Sequence, residues 1–385
     1  MSSSRPDLAA IPFVDNHAHP LTHEQPHTAE ELRRHFSEAH AGTLAGEYVD
    51  ASVPYRWALR QLGAVLGVEP VPEAILARRD ELRFQVYARE LVAAGNISYV
   101  LLDEGYPPPA VSYSSEKMAE LTGVPVGRIL RLETLLQTLI ADHDTLDAVS
   151  LAFDGALEAA RQSSYVALKS IAAYRSGLAI EPVTEDAAAS AFRRVRDQGV
   201  RDDAFRLADK TLIDFFVYRA LRYASAHALP VQFHTGYGDP DLDLRLANPL
   251  HLRPLFEDAT LAAAPIVLLH GSYPFTAEAA YLAAVYPNAY LDMSFSLPPL
   301  GGDALRQVVQ TALAVAPAGK LLTSSDGTCI PEHYWLGATR ARECLSEVLG
   351  ALVERGEVGM EDAVAIAGRL LHENAARLYR LPGEA

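Results

Sequence analysis

The sequence has few of the features that identify secreted, membrane-bound or nucleic-acid-binding proteins. It contains only two cysteines, Cys329 and Cys344, which are too few for a disulfide framework and do not form a CxxC pair. Its longest apolar stretch, residues 261–269, is too short to span a bilayer. The first residues lack a basic segment followed by an apolar one, which is the pattern of a secretory signal. These absences predict a cytoplasmic protein without a membrane anchor.

Positive charge is also scarce. The chain has 33 Lys and Arg residues against 49 Asp and Glu residues, a formal net charge of −16. Because this excess repels nucleic-acid phosphates, we expect no nucleic-acid partner and a substrate that is a small molecule. No internal repeat stands out, which excludes a solenoid. An apolar helix face can pack internally or against another subunit, so the sequence leaves a homo-oligomer open.

Short apolar runs alternate with segments of helical composition along most of the 385 residues. This alternation is typical of parallel βα units. The runs predict eight strands, the number that a closed barrel requires, so we predict one α/β domain over residues 1–385 with a (β/α)₈ TIM barrel fold. We also predict helices within residues 144–161, 185–227 and 302–316, and two more in the tail, residues 332–378. The predicted strands are residues 11–17, 97–103, 128–133, 165–171, 231–234, 266–270, 289–293 and 321–326.

The segment between the first two predicted strands is too long for a single barrel crossover. Residues 21–94 contain three stretches of helical composition, EELRRHFSEAH, YRWALRQLGAVLG and PEAILARRDELRFQVYAREL. We therefore predict an insertion of three helices after the first strand, which caps the active site.

Two histidines end the first predicted strand in the string FVDNHAHP. His17 and His19 are two residues apart, so in a strand their side chains project from the same face. Two imidazoles placed in this way can hold a metal ion. A pair of surface or capping histidines is the alternative.

Polar residues also end four later apolar runs. They are Lys169, His234, His270 and Asp326. In a barrel the carboxyl ends of all strands meet around one mouth, where barrel active sites are built. Singly, each residue could be a hydrogen-bonded core residue or a loop cap. Their recurrence in strand order favours one shared site at that mouth.

With these residues the sequence resembles the amidohydrolase superfamily, which carries HxH on the first strand, Lys on the fourth, His on the fifth and sixth, and Asp on the eighth. The strings ALKSIAAYRSGL, QFHTGYGDPDLDL, LLHGSYPF and SSDGTCIPEHYWLGA are similar to the FluG-like branch of its amidohydrolase-related (amidohydrolase 2) group. The resemblance runs from residue 17 to about residue 380. It leaves no room for the glutamine-synthetase-like partner that some members carry.

The resemblance implies that His17, His19 and Asp326 coordinate a divalent metal ion, with Zn²⁺ as the first expectation for ligands rich in histidine. A water molecule bound to this ion would become hydroxide and attack the substrate. Asp326 would accept the proton of that water and pass it to the leaving group.

Whether Lys169 is carbamylated decides between a site with one metal ion and a site with two. A carbamate formed on Lys169 is an anion that would bridge two metals, with His234 and His270 completing the second. An unmodified Lys169 would leave a single ion, bound by His17, His19, His234 and Asp326. His270 would then orient water or substrate, which is a catalytic role.

Four further residues are candidates for binding substrate. Arg175 can clamp a carboxylate with its two-pronged guanidinium, and Tyr174 could add a hydroxyl donor, although Arg175 could equally form a surface salt bridge. Asp103 and Glu133 close apolar runs at the predicted mouth and could bind a substrate ammonium or fix Arg131. Helix capping and internal ion pairing are the alternatives for these two carboxylates.

Three functions are compatible with these residues. The first is hydrolysis of an amide-type C–N bond in a small substrate that bears a carboxylate, for which a γ-glutamyl amide would suit the resemblance and Arg175. The second is non-oxidative decarboxylation or C–C bond hydrolysis on the same ligands, which the ligands alone do not separate from the first. The third is a binding protein on a decayed barrel, which would have lost ligands. All six ligand positions are occupied here, so an enzyme is favoured.

Overall fold

The computed structural model describes residues 5–40, 42, 44–199, 205–295 and 300–383. Eight strands within these ranges form one sheet in which spatial neighbours follow the order of the chain. The strand pairs are parallel. This order, with helices between the strands, is that of a (β/α)₈ TIM barrel, so the predicted fold class is confirmed. The strands are β1 (Phe13–Ala18), β2 (Ile97–Asp103), β3 (Val126–Arg131), β4 (Tyr165–Ser170), β5 (Val231–Phe233), β6 (Ile266–Leu268), β7 (Ala289–Ser294) and β8 (Leu321–Ser324).

The observed strands end within two residues of the predicted ones. At the ends of several strands, the difference between the predicted and the observed boundary concerns a polar residue. His234, His270 and Asp326 follow their strands instead of ending them, because strand pairing stops at Phe233, Leu268 and Ser324. Glu133 was expected at the end of the third strand and lies instead in the first turn of the following helix, because the apolar run continues across the junction.

Helices occupy most of the connections between strands. The segment 185–227 forms two helices, and part of the chain between them, residues 200–204, lies outside the described residues. None of the helices in the described ranges is long and apolar enough to cross a membrane. The helices are α1 (Ala29–Arg34), α2 (Val53–Leu66), α3 (Pro72–Asp80), α4 (Phe84–Ala94), α5 (Ser115–Thr122), α6 (Leu132–Asp142), α7 (Leu146–Arg161), α8 (Glu185–Gly199), α9 (Lys210–His227), α10 (Arg253–Glu257), α11 (Thr276–Val285), α12 (Gly302–Val315), α13 (Pro331–Glu354), α14 (Met360–Gly368) and α15 (Asn374–Tyr379).

Contacts divide the chain into two units. The first unit comprises residues 1–127, 238–240 and 292–385, and it carries β1, β2 and β8. The second comprises residues 128–237 and 241–291, and it carries β4, β5 and β6. Each unit buries apolar side chains of its own, so the hydrophobic effect stabilises both.

The segment after β1 contains α1 to α4, all in the first unit. The prediction of three helices is wrong in one respect. The third stretch forms two helices, α3 and α4, which are separated by residues 81–83. In this break, Leu82 packs against the apolar core of the insertion, and Arg83 adopts an extended conformation before α4. That core also includes Ile330, Trp335 and Leu336 from the region around the start of α13. The inserted helices therefore pack on the chain that follows β8.

The C-terminal tail forms the two helical segments predicted from the sequence. The first is α13, with 24 residues. The second runs from α14 to α15 and is interrupted by a π-helical turn over Arg369–Glu373. Thr323 of β8 donates its hydroxyl to the backbone carbonyl of Leu370 in that turn at 2.9 Å, which anchors the tail to the sheet.

Candidate metal site

The imidazoles of His17 and His19 lie together at the carboxyl end of β1. All six residues of β1 are buried, His17 is fully buried, and His19 follows the strand by one residue. The two rings meet edge to face with 5.0 Å between their centroids. The prediction that both side chains project from one face is therefore matched by the geometry.

Asp326 approaches these histidines from the loop after β8. Its side chain is 17% exposed, and its Oδ1 lies 3.6 Å from His17 Nε2 and 3.5 Å from His19 Nε2. The three potential ligand atoms all lie within 4.8 Å of one another. Two imidazole nitrogens and one carboxylate oxygen suit Zn²⁺ and related divalent ions, so the donor set fits the metal that the sequence implies.

Backbone hydrogen bonds hold the loop after β8 against the end of β1. The N–H of Asp326 donates to the carbonyl of His17 at 3.0 Å, and the N–H of His19 donates to the carbonyl of Gly327 at 2.7 Å. Asp326 has a φ of 56°, in the left-handed region that few residues other than glycine adopt. Such conformations persist where surrounding contacts hold them, and they concentrate at functional sites.

The ring orientation of His19 is set by two backbone carbonyls. Its Nδ1 lies 3.2 Å from the carbonyl oxygen of Asp103 and 3.1 Å from that of Tyr106. Because carbonyl oxygens only accept hydrogen bonds, Nδ1 carries the proton, and Nε2 keeps its lone pair. This arrangement is typical of a metal-binding histidine, whose other nitrogen is held by a backbone or carboxylate oxygen.

A buried carboxylate supports the β8 loop from behind. Asp15 accepts hydrogen bonds from the backbone N–H of Ser325 at 2.7 Å and from the Ser325 hydroxyl. Burial raises the pKa of Asp15 to about 8, although the bonds from Ser325 act in the opposite direction and the charges of Asp292 and Asp326 add to the increase. Ser325 also accepts from the N–H of Gly327 at 2.7 Å. The residues on both sides of Asp326 are thus fixed.

In the second unit, His234 and His270 lie together just beyond β5 and β6. Their ring centroids are 4.4 Å apart, and the ring of Tyr174 lies 4.4 Å from that of His234. His234 Nε2 is 2.9 Å from the carbonyl oxygen of Tyr237, so that nitrogen is the donor. Lys169, near the end of β4, is 1% exposed.

Close backbone packing holds the loops of His234 and His270 together. Gly236 has a φ of 73°, and a Cβ atom there would lie 2.4 Å from the carbonyl carbon of Ser272. Thr235 donates its hydroxyl to the carbonyl of Leu269 at 2.7 Å. His270 itself has a φ of 62°. The loops that carry this second pair of histidines are therefore held against each other.

The predicted substrate-binding residues have different surroundings. Arg175 is partly exposed, but its Nε and Nη1 are buried and have no hydrogen-bond partner among the described residues. Burial lowers the pKa of Arg175, and the nearby positive charge of Arg206 lowers it further. Two buried donors without an acceptor are unusual and call for a ligand or ordered water.

Glu133 and Asp103 make internal contacts. The Glu133 carboxylate accepts from the Ser170 hydroxyl at 2.6 Å and from the N–H of Ile171 at 2.9 Å, and burial raises its pKa. Asp103 is fully buried, and its carboxylate accepts from the N–H of Gly105 at 3.0 Å. Both carboxylates therefore accept hydrogen bonds from neighbouring groups of the protein, and a role of either in binding substrate stays a prediction.

The structure thus gathers His17, His19 and Asp326 in the first unit, and His234, His270 and Tyr174 in the second. The carbonyl partners of His19 could not be inferred from the sequence, because any residue supplies a backbone oxygen. Asp15 precedes His17 by two residues in the string FVDNHAH and could have been noticed in the sequence. A single carboxylate within a strand is, however, not a distinctive sign of a functional residue.

Known proteins resemble this chain in sequence and in fold. The family model described as Amidohydrolase matches residues 14–381. Protein fluG of Emericella nidulans is 29% identical over 412 aligned residues, which include 99% of this chain and 47% of that protein. The chain therefore spans about half the length of this curated relative.

Solved structures share the fold. A crystal structure from Lactobacillus casei ATCC 334, of a protein assigned as a metal-dependent hydrolase, is 30% identical with a TM-score of 0.87, over 97% of this chain and 96% of that one. Uronate isomerase from Thermotoga maritima is 14% identical with a TM-score of 0.67, over 97% and 95% of the two chains. At this identity the second likeness concerns the fold alone.

Proposed function

Because this chain belongs to the amidohydrolase family, we propose that it is a metal-dependent hydrolase that cleaves an amide-type C–N bond in a small substrate bearing a carboxylate. The observation that carries the proposal is the convergence of His17, His19 and Asp326, whose ligand atoms lie within 4.8 Å of one another. Three protein ligands from rigid strand ends leave coordination positions for water and substrate.

His17, His19 and Asp326 would hold the metal through Nε2, Nε2 and a carboxylate oxygen. Zinc is the ion that we propose for this set, since it binds imidazole and carboxylate readily. A bound divalent ion would polarise the scissile carbonyl and lower the pKa of water at the site. The proton on His19 Nδ1, donated to two carbonyls, keeps Nε2 available in this role.

Asp326 would also move a proton. Its carboxylate is partly exposed, so it is accessible to a water molecule and to the leaving group. It would accept the proton of the attacking water and return it to the departing amine, as a general base and then a general acid. Its left-handed backbone conformation aims the side chain at the histidines, which supports this assignment.

We extend the metal-binding proposal to Lys169, His234 and His270, which occupy the matching positions of the superfamily pattern. The two alternatives for Lys169 make different predictions. As a carbamate it would contribute to a second ion, whereas as an amine it would leave one ion and His270 would orient water or substrate. Replacing Lys169 by Met, which cannot be carbamylated, should lower the metal stoichiometry only under the first alternative.

Arg175 would bind the carboxylate of the substrate. Its buried Nε and Nη1 lack an acceptor among the described residues, and a substrate carboxylate would supply one. Tyr174, whose ring packs against His234, would add a hydroxyl donor. A γ-glutamyl amide has both the scissile amide and a free carboxylate, so we propose this class of substrate.

Metal analysis combined with two assays tests the proposed function. Purified protein should contain one or two equivalents of divalent metal and release amine or ammonia from γ-glutamyl amides. His17→Ala should lose both metal and product formation with its circular dichroism unchanged, whereas the exposed His23→Ala should retain both. Release of carbon dioxide from aromatic acids, without amine release from amides, would contradict the hydrolase and support a decarboxylase.

A further inference from the structure

A buried ion pair joins the inserted helices to the first turn of α13. Arg79 of α3 and Glu332 of α13 are 5% and 0% exposed, and Arg79 Nη1 lies 3.1 Å from Glu332 Oε1. Tyr87 of α4 donates its hydroxyl to the same oxygen at 2.9 Å. Two inserted helices therefore meet at a carboxylate that lies six residues after Asp326.

The other side of the Arg79 guanidinium reaches the loops that carry the metal ligands. Arg79 Nη2 donates to Gln25 Oε1. Gln25 Nε2 in turn donates to the carbonyl of Thr22 at 2.7 Å and to that of Cys329 at 2.9 Å. Thr22 follows His19 by three residues, and Cys329 follows Asp326 by three residues. Gln25 and Arg79 together thus connect both loops to α13.

These two loops are bound to each other beyond the ligands themselves. The N–H of Thr22 donates to the carbonyl of Cys329 at 3.0 Å, and the N–H of Cys329 donates to the carbonyl of Pro20 at 3.2 Å. Cys329, like Asp326, has a left-handed φ, of 63°. Two such residues within one short loop need surrounding contacts to hold them. The bonds from Gln25 supply contacts of this kind.

Stability alone does not account for charges at this position. A buried ion pair carries a desolvation penalty that its attraction barely offsets, and apolar residues of similar volume often serve equally well. The neighbouring core of the insertion already includes Ile330 and Trp335, so apolar packing was available. What Arg79 adds is a connection, since its guanidinium reaches Glu332 through Nη1 and Gln25 through Nη2.

We infer that Arg79 is a positioning residue for the metal site, acting through Glu332 and Gln25 to hold the β1 and β8 loops at the spacing that metal binding requires. The inference rests on the proposed function, because it presupposes that His17, His19 and Asp326 bind the ion. It gives the insertion a role in metal affinity in addition to any covering role.

The dissociation constant for Co²⁺ and the visible absorption of the Co²⁺-loaded protein test this inference. Replacing Arg79 by Lys keeps the charge but removes the second prong, so the side chain no longer spans Glu332 and Gln25. We expect the dissociation constant to rise roughly 10- to 100-fold, as for other residues that orient metal ligands, and the absorption spectrum to change. Arg78→Lys is the matched control, since Arg78 neighbours Arg79 but pairs at the surface with Glu81. It should leave both quantities unchanged.

Two further variants keep the test decisive if Arg79→Lys does not fold. The double replacement of Arg79 and Glu332 by Met leaves no unpaired buried charge, and Gln25→Ala keeps the ion pair but cuts the link to the loops. Both should weaken Co²⁺ binding. Wild-type affinity and spectrum in any folded variant of Arg79 or Gln25 would overturn the inference. A wild-type protein that binds no divalent ion would instead overturn the proposed function itself.

Discussion

The backbone N–H of Asp326 donates to the backbone carbonyl of His17 at 3.0 Å, so the loop after the last strand is attached directly to the histidine pair at the end of the first strand. Residues 309 positions apart in sequence are thereby placed in one site, since 326 minus 17 is 309. The bond also fixes Asp326 in its left-handed conformation. The backbone that carries the carboxylate is consequently held against the end of the first strand.

Asp326→Asn should fold normally and lose most of its activity. Asn tolerates left-handed φ angles and matches Asp in size, so the loop should keep its shape. The amide does not accept a proton as the carboxylate does, and removing a general acid–base group costs roughly 10²- to 10⁴-fold in rate. We expect kcat/KM to fall by that factor in a steady-state assay. An Asn variant with a rate close to that of wild type would show that another group moves the proton.

Arg175→Ala should raise KM for substrates that carry a carboxylate. Hydrogen bonds to a charged group contribute about 1.5–3 kcal/mol, which corresponds to roughly a 10- to 100-fold increase in KM. Arg245→Ala is the control, because the Arg245 side chain is 88% exposed and pairs with Asp243 two residues away. An equal effect of Arg175→Ala on an amide without a carboxylate would argue against a carboxylate clamp.

Gly236→Ala should destabilise the protein more than Gly67→Ala. Both glycines have left-handed φ angles, 73° and 69°, for which any other residue costs about 1–2 kcal/mol. A Cβ at Gly236 would in addition lie 2.4 Å from the backbone of Ser272, whereas a Cβ at Gly67 meets nothing within 4 Å. Urea unfolding of the two variants measures the difference. Equal losses in the free energy of unfolding would contradict the close packing of the His234 and His270 loops.

His333 should make the protein less stable as the pH falls. Burial lowers the pKa of His333 from 6.5 to about 3, and the positive charge of His35 acts in the same direction. Because the folded state resists protonation, its stability is full above pH 6.5 and declines as the pH falls toward 3. Between pH 7 and pH 5 this residue should account for about 2 kcal/mol of lost stability.

The replacement His333→Leu isolates this contribution. Subtracting the free energies of unfolding of the variant from those of wild type, at pH 7 and at pH 5, removes the effects of all other groups that titrate equally in both proteins. We expect the wild type to lose about 2 kcal/mol more than the variant over this interval. A difference near zero would mean that the pKa of His333 is the same in the folded and the unfolded state.

The fold could be predicted because the sequence features that indicate each strand are local. Each strand is a short apolar run bounded by polar or turn residues, and the eight strands ended within two residues of the prediction. The polar residues at strand ends were equally visible, which is why His17, His19 and Asp326 could be named. Glu133 was misplaced because its apolar run, RILRLETL, continues from β3 into α6 without a break.

The supporting contacts could not be predicted because they depend on tertiary structure. His19 is oriented by carbonyl groups of Asp103 and Tyr106, which any residue could supply. Arg79 and Glu332 are 253 residues apart, 332 minus 79, and each lies in a segment of ordinary helical composition. Only the assembled chain shows that they form a pair.

An anomalous-difference map, recorded at the absorption edge of the bound metal from crystals of the metal-loaded protein, tests the account most directly. We predict a peak about 2.0–2.2 Å from Nε2 of His17, Nε2 of His19 and a carboxylate oxygen of Asp326. A map from loaded protein in which the metal peak lies away from these three atoms would contradict the proposed site.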